Sequence, residues 1–350
     1  MRHYLLTATI LLQLLHPPFS PTAYAGELTL SAVGDIMLAG SARRTLEHRG
    51  YSFPFEATSA ILKGSHIAVG NLEAPITSRG SEFTGKRFRF RSPPEAAQAL
   101  RNAGFSVLTL ANNHILDYGP TGLQDTLDHL EKNSIRHSGV GKDLADAAKP
   151  AFVETAGGRV AFLSYSLTYP SEFFAGKERY GTAPGHSSRI GNDIRKAARQ
   201  ADYVVVSFHW GRELESTPRP YQVNSARRAI DAGADIVLGH HPHVLQGIER
   251  YRNGLIFYSL GNFAFGSLSG KSDRSIIARI SLNGGVKEAE IIPLNVLNRE
   301  VRFQPVPLGG TAGGEVIDRL NRLSAGMGTR ISLESGRYLV QWNRATAAVR

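Results

Sequence analysis

Cysteine is absent from the 350-residue sequence. Its absence excludes disulfide bonds, disulfide-linked partners, thiol nucleophiles and metal sites built on thiolates. Any metal site must therefore use histidine, aspartate, glutamate or asparagine side chains. Long apolar runs are missing as well, because no stretch reaches the roughly 20 apolar residues that a bilayer-spanning helix needs.

The first 25 residues have the features of a secretory signal peptide. Arg2 provides a positive start, residues 5–15 are mostly apolar, and Ala23-Tyr24-Ala25 fits a cleavage site of the small-x-small type. The apolar run is too short for an uncleaved membrane anchor. We therefore expect cleavage near Ala25 and an exported product that is periplasmic or extracellular.

Positive charge is in excess, with a formal net charge of +10 in a chain that is 42% hydrophobic and 20% charged. The overall balance is typical of a globular protein. The excess favours an anionic polymer or envelope surface as the neighbour, and the expected export argues against nucleic acid. The densest basic stretch, residues 86–91, alternates basic residues with phenylalanine. Alternation of this kind favours a half-buried strand.

Short apolar runs alternate with helical stretches along most of the chain, which is the pattern of β-α-β units. The runs are almost continuously apolar, which indicates strands that are covered on both faces. From about residue 301 the pattern weakens. We expect a main α/β domain over residues 26–300 and a C-terminal extension over residues 301–350 that packs on it.

Six predicted strands are each followed by polar residues that can bind a metal ion or a substrate. In an open α/β sheet, ligands bind beyond the carboxyl ends of the strands, so these residues are expected to converge. Carboxylate, imidazole and amide groups suit Zn, Mn, Fe or Mg. Two such ions about 3.5–4 Å apart can share a carboxylate and activate water for attack at phosphorus. The strand-end residues are Asp35, Asn71 with Glu73, Asn113 with His114, His209, His241 with His243, and Asn262.

The sharpest single motif is His241-Pro242-His243. In an extended segment, residues two apart point the same way, and Pro242 disfavours a helix at His241. Both imidazoles are therefore expected to reach two adjacent ions. Taken singly, a strand-end residue has a simpler explanation as a turn former or a packed side chain, and Asp117 is interpreted as such a turn former.

The blocks that carry these residues resemble the signature blocks of the bacterial CapA/PgsA family, which is named for poly-γ-glutamate capsule biosynthesis. They occur in the expected order within residues 28–266. That family resembles the calcineurin-like metallophosphatases, so the resemblance implies a β-sandwich flanked by helices in an α-β-β-α arrangement, with a small C-terminal extension. The blocks are Gly34-Asp35-Ile36-Met37, Asn71-Leu72-Glu73-Ala74-Pro75, Ala111-Asn112-Asn113-His114, His209-Trp210-Gly211, His241-Pro242-His243-Val244-Leu245-Gln246 and Tyr258-Ser259-Leu260-Gly261-Asn262-Phe263.

The resemblance also implies a role for each matched residue. His114 would protonate the leaving oxygen, and Met37 stands where metallophosphatases usually place a further histidine for the first ion. The implied ligands are Asp35 and His243 for the first ion, His209 and His241 for the second, Glu73 as the bridging carboxylate and Asn113 as the amide ligand. Substrate binding or support of these ligands is expected for Asn71, Asn112, Trp210, His240 and Asn262.

Three functions remain open at this point. The first is a metal-dependent hydrolase of the phosphoesterase type, with one or two divalent ions, acting on an anionic cell-envelope or capsule substrate. The second is a non-catalytic accessory component of poly-γ-glutamate or other exopolymer synthesis, within a membrane synthase or export complex. The third is a γ-glutamyl amide hydrolase that applies the same ion chemistry to a carbonyl group. The loops at residues 77–91 and 169–188 are expected to shape the pocket that distinguishes them.

Overall fold

A computed structural model describes residues 26–342. The expected signal peptide lies outside the described residues. The strands are β1 (Leu28–Met37), β2 (Ile67–Leu72), β3 (Val107–Thr109), β4 (Arg136–Ser138), β5 (Val140–Gly141), β6 (Ala151–Thr155), β7 (Gly158–Ser166), β8 (Gly181–Thr182), β9 (Tyr203–His209), β10 (Ile236–His240), β11 (Ile248–Tyr251), β12 (Gly254–Phe257), β13 (Asn262–Phe265), β14 (Arg274–Leu282), β15 (Val286–Asn295), β16 (Val306–Pro307), β17 (Thr329–Glu334) and β18 (Arg337–Trp342). The α-helices are α1 (Arg43–Arg49), α2 (Ser59–Lys63), α3 (Glu95–Ala103), α4 (Gly119–Lys132), α5 (Leu144–Ala147), α6 (Ile190–Ala198), α7 (Pro220–Asp231), α8 (Asn298–Val301) and α9 (Gly310–Leu323).

Two sheets form the centre of the fold. The larger has the order β17-β18-β15-β14-β1-β2-β3-β4, with β13 beside β1 and β16 beside β15, and the smaller has the order β11-β12-β10-β9-β7-β6. β1 to β4 run parallel in the first sheet. β7, β9, β10 and β12 run parallel in the second. Because the carboxyl ends of parallel strands meet at one edge of a sheet, the strand-end residues of each sheet lie together at that edge.

The hydrophobic core is divided into layers by these sheets. One buried cluster joins Leu30 and Val69 of the larger sheet to Val205 and Leu238 of the smaller one, so the two sheets pack face to face. A second cluster packs the outer face of the larger sheet against α1 to α4. A third packs the outer face of the smaller sheet against α6 and α7. The predicted α-β-β-α sandwich is therefore confirmed.

The prediction of a strand at residues 86–91 is wrong. The segment has no regular secondary structure, and Phe88 is 59% exposed. Its shape is determined by side-chain contacts, since Asp117 accepts a hydrogen bond from the Phe90 backbone at 2.8 Å and pairs with Lys86 at 2.7 Å. The alternation of basic and aromatic residues reflects a loop that turns Lys86 inward.

The last described segments join the larger sheet. β18 pairs with β15 and with β17, and α9 packs against β15 and β17. The division at residue 300 stays a prediction. Among residues 26–342, no helix combines the length and the apolar character that crossing a bilayer requires.

Candidate metal centre

Five buried or nearly buried residues converge at the carboxyl edge of the two sheets. They form two sets of potential ligands, and within each set all the ligand atoms lie within 4.8 Å of one another. One set is Asp35, Glu73 and His243, and the other is Glu73, His209 and His241. Glu73 belongs to both sets, which is the arrangement expected for a carboxylate shared by two ions.

Asp35 is held in the middle of this edge by groups from both sheets. Its Oδ1 accepts a hydrogen bond from Asn71 Nδ2 at 2.9 Å, and its Oδ2 accepts one from the His241 backbone at 3.1 Å. Nδ1 of His240 lies 3.1 Å from Oδ1, and Nδ1 of His243 lies 3.2 Å from Oδ2. Burial opposes ionisation, but the contacts with His240 and His243 hold the pKa of Asp35 well below its usual value.

Glu73 follows β2 and is anchored through its backbone, which donates a hydrogen bond to the Ile36 carbonyl at 2.8 Å. Its Oε1 lies 3.4 Å from His209 Nε2 and 3.8 Å from His243 Nε2. Burial and the charge of Asp35 raise the pKa of Glu73 well above its usual value. Oε1 is buried and has no hydrogen-bond partner. An unpartnered buried carboxylate oxygen is costly, and a cation between it and the imidazoles would remove that cost.

The His241-Pro242-His243 step is not extended, so that part of the prediction is wrong. His241 has a φ of 92° and His243 a φ of 59°. Positive φ at residues other than glycine costs about 1–3 kcal/mol and is concentrated at functional sites. The turn places the ring of His241 4.8 Å from that of His209 and 5.7 Å from that of His243. The turn therefore directs the side chains of His241 and His243 into the candidate centre through a backbone conformation that differs from that of an extended chain.

The three histidines of these sets differ in the direction of their pKa shifts. Burial and the neighbouring His243 lower the pKa of His241 to about 3. Burial and His241 also lower the pKa of His209 well below its usual value. His243 behaves in the opposite way, because Glu73 and Asp35 outweigh its burial and raise its pKa to about 9. Two neutral imidazoles are therefore ready to bind a cation, and the third must first lose a proton.

The predicted amide ligand lies next to His209. Asn113 Oδ1 is 2.8 Å from His209 Nε2, so both groups face the same point. The Nδ1 atom of His241 is buried and has no hydrogen-bond partner. Together with Glu73, these groups form a donor set of amide oxygen, imidazole nitrogen and carboxylate, which fits a divalent cation.

Asparagines contact the candidate ligands or the chain that carries them. Asn112 donates to Asn71 Oδ1 at 3.1 Å and accepts from the backbone of His114 at 3.1 Å. Asn262 Oδ1 lies 2.9 Å from His243 Nδ1. Each asparagine therefore orients either a ligand or the chain that carries one.

Trp210 is not available to a substrate, so that part of its assignment is wrong. Its side chain has no exposed surface. The ring stacks on Phe208 with centroids 4.6 Å apart, and its Nε1 donates to the Tyr258 carbonyl at 3.0 Å. Trp210 is a core residue that stiffens the chain directly after His209.

Sequence reasoning missed the groups around His114. Asp117 lies in a turn, as predicted, and its backbone donates to the His114 carbonyl at 3.0 Å. It is also fully buried, and its Oδ2 lies 2.7 Å from His114 Nδ1, a contact that the sequence analysis did not anticipate. Lys86 Nζ lies 2.7 Å from Asp117 Oδ1 and 2.9 Å from His114 Nδ1, and it also bonds to the carbonyl of Asn113. The spacing of three residues between His114 and Asp117 was a usable signal. Lys86 had none beyond its place in a basic stretch.

Comparisons with known proteins agree on one family. A family model described as "Bacterial capsule synthesis protein PGA_cap" matches residues 29–267. The capsule biosynthesis protein CapA of Bacillus anthracis is 34% identical over 278 residues, which cover 77% of this chain and 68% of that protein. The PGA biosynthesis protein CapA of Bacillus subtilis is 35% identical over 272 residues, covering 77% of this chain and 72% of that protein. A probable polyglutamine synthesis accessory protein of Mycobacterium tuberculosis is 32% identical over 225 residues, covering 61% of this chain and 59% of that protein.

Proposed function

The chain belongs to the PGA_cap family of bacterial capsule synthesis proteins, and we propose that it is a divalent-metal-dependent hydrolase. Its substrate would be an anionic polymer, or a precursor of one, in the capsule or cell envelope. The proposal depends on the way two features lie together. Glu73 is shared by two ligand sets, and Asn113 lies next to His209. Asn113 is followed directly by the buried His114, which pairs with Asp117. We further propose that the protein acts after export, which the N-terminal 25 residues favour.

The ligands would hold one ion at Asp35, Glu73 and His243, and a second at Glu73, Asn113, His209 and His241. When bound, divalent ions polarise the scissile group and lower the pKa of water. The protein contributes the rigidity of the arrangement, because every proposed ligand lies within a strand of the two packed sheets or no more than four residues beyond one. Rigid ligands lose little freedom when the ion and the substrate bind.

His114 would deliver the proton to the departing oxygen. Asp117 orients its ring through Nδ1 at 2.7 Å, which leaves Nε2 for the substrate. Burial lowers the pKa of His114, and the Asp117 carboxylate opposes that effect. An anionic substrate beside the ring would favour the protonated form further. Lys86 adds a positive charge next to His114, which favours a negatively charged substrate at the same position.

The proposal is tested by measuring metal content and hydrolysis together. Purified wild type, His241→Ala and the exposed control His48→Ala would be compared by elemental analysis. The same proteins would be assayed on phosphodiesters and on γ-glutamyl amides with Zn²⁺, Mn²⁺, Fe²⁺ and Mg²⁺. We expect His241→Ala to lose bound metal and about 10²-fold or more of the activity, because it removes a ligand and leaves Glu73 uncompensated. Full activity in His241→Ala, or no cleavage of either substrate class with any ion, would overturn the proposal.

A second candidate function is a non-catalytic accessory role in exopolymer synthesis. It is favoured by Met37, which occupies a position where the metallophosphatases that the family resembles carry a histidine ligand, and by the relative whose name describes an accessory protein. In this case the metal-free protein would retain a labelled glutamate polymer in a pull-down, and His241→Ala would retain it equally well. Loss of polymer binding on metal removal would instead favour the hydrolase.

A further inference from the structure

The segment between β9 and α7 is fastened to the His241–His243 turn. The backbone of Leu214 donates a hydrogen bond to the Pro242 carbonyl at 2.8 Å. Gln246, just beyond the turn, donates through Nε2 to the Glu215 carbonyl at 2.7 Å. Both bonds are made by the two residues that directly follow Glu213. The backbone that carries the Glu213 side chain is therefore held at a set distance from the metal centre.

Glu213 is exposed, and no motif of the sequence analysis assigned it a role. A carboxylate oxygen of Glu213 and one imidazole nitrogen each of His241 and His243 lie within 4.8 Å of one another. No donor among residues 26–342 is bonded to this carboxylate. A second observation points to a missing ligand at His241, since Nδ1 of this largely buried residue has no hydrogen-bond partner.

We propose that Glu213 is a metal-binding residue that closes the centre from the solvent side together with His241 and His243. This inference rests on the proposed metal-dependent function. A carboxylate and two imidazoles form a common three-ligand set for a divalent ion and leave a position open. His243 also belongs to the first deeper set and His241 to the second. Glu213 therefore adds a carboxylate to an ion that one of these histidines already binds, and it does not create a third ion site.

The apolar surroundings of Met37 explain why a ligand from the solvent side is useful. Met37 packs with Phe265 in a small buried cluster, and Phe265 lies against the ring of His243 at 4.7 Å. One face of the His243 ring is therefore covered by an apolar side chain, while the carboxylates of Asp35 and Glu73 approach its nitrogen atoms. Glu213 is exposed, so it offers an ion near His243 a further carboxylate from the solvent side.

The test measures metal affinity and ligand geometry, not turnover. Metal-free protein would be titrated calorimetrically with Mn²⁺ and, in a second series, loaded with Co²⁺ for visible absorption spectra. The Glu213→Gln variant keeps the shape of the side chain and removes its charge. We expect it to bind the weaker of its ions at least about tenfold less tightly and to show an altered Co²⁺ spectrum. The matched control is Glu215→Gln in the same segment, whose carboxylate is paired with Arg219 at 2.8 Å.

The His241→Ala variant distinguishes a failure of the role of Glu213 from a failure of the metal centre. If Glu213→Gln matches wild type in affinity and spectrum while His241→Ala binds weakly, the metal centre stands and the role of Glu213 is overturned. If neither change affects binding, the metal centre itself is wrong. A third outcome is that Glu215→Gln weakens metal binding as much as Glu213→Gln and changes the Co²⁺ spectrum to the same extent. In that case the effect comes from the loss of a negative charge in this segment, and the inference fails.

Discussion

At the scale of single residues, side chains of the same type in the candidate metal centre lie in different environments and therefore have different pKa values. Asp35 and Glu73 are both buried carboxylates, yet hydrogen bonds lower the pKa of the first, whereas burial and the charge of Asp35 raise that of the second. His241 and His243 are two residues apart, yet their pKa values lie at about 3 and about 9. Such divergence among neighbouring groups is a property of functional sites.

Cation binding should strengthen as pH rises from 7 toward 9. Glu73 and Asp35 outweigh the effect of burial and raise the pKa of His243 to about 9, so a cation that binds at neutral pH must displace its proton. The apparent affinity is expected to rise by up to about tenfold per pH unit and to level off above the pKa. Calorimetric Mn²⁺ titrations at pH 7 in buffers of different ionisation enthalpy would count the released protons. Binding without proton release would contradict this prediction.

Replacing Asp117 should impair catalysis and spare metal binding. Asp117→Asn removes the charge that orients His114 and opposes the effect of burial on its pKa. We expect kcat to fall about 10- to 100-fold with metal content unchanged, and the loss to shrink for substrates whose leaving group needs no proton. The exposed Glu131→Gln on α4 is the control. A loss that is equal for all leaving groups would show that Asp117 has only a structural role.

At the scale of elements, the site depends on how closely two segments approach at the end of β1. The Asp35 backbone donates to the Gly261 carbonyl at 3.0 Å, just before β13 begins. A Cβ at Gly34 would lie 1.8 Å from the same carbonyl oxygen. The absence of a side chain at Gly34 thus lets β13 lie beside β1, and this contact positions Asp35 and Asn262 side by side.

Gly34→Ala should therefore damage both stability and metal binding. The clash is with backbone, which cannot move aside cheaply, so we expect the free energy of unfolding to fall by about 1–3 kcal/mol or more. Urea unfolding and elemental analysis would measure both effects. Gly270→Ala is the matched control, because nothing lies within 4 Å of the Cβ it would add. Equal stability of the two variants would contradict the role assigned to Gly34.

At the scale of the whole molecule, the proposed ions connect the two sheets of the sandwich. Asp35 and Glu73 lie in and just beyond strands of the larger sheet, while His209 ends a strand of the smaller one and His241 directly follows another. Each sheet is covered by its own set of helices, and the two sheets meet in a shared hydrophobic cluster. A cation held by ligands from both sheets would stabilise their relative position.

Metal removal should consequently lower the melting temperature of the whole protein. A ligand present at 100 times its Kd stabilises the folded state by about 2.7 kcal/mol if it does not bind the unfolded chain. Calorimetry with and without a chelator would measure the shift. His241→Ala should melt at one temperature under both conditions. An identical shift in that variant would mean that the stabilising ion binds elsewhere.

Much of the fold and of the site was predictable because the signals involved are local. Continuous apolar runs predict buried parallel strands, and polar residues after them predict a ligand site at their shared edge. Trp210 was misassigned because a sequence does not show how deeply an aromatic ring beside a ligand is buried. Asp117 and Lys86 were missed because their contacts join a loop to a turn that follows another strand. The positive φ angles of His241 and His243 were likewise not predicted, because the sequence pattern of this segment is also compatible with an extended chain.

By itself, the sequence determined the α/β class, the exclusion of thiol chemistry and a set of strand-end residues whose side chains are of types that can bind a cation. These follow from composition and from periodicity along neighbouring residues. Only the tertiary structure decided that Glu73 is shared by two sets, that His114 pairs with Asp117, and that Glu213 faces His241 and His243. The reason is physical: the packing of two sheets and the path of the loops set these distances, and both depend on contacts between residues far apart along the chain.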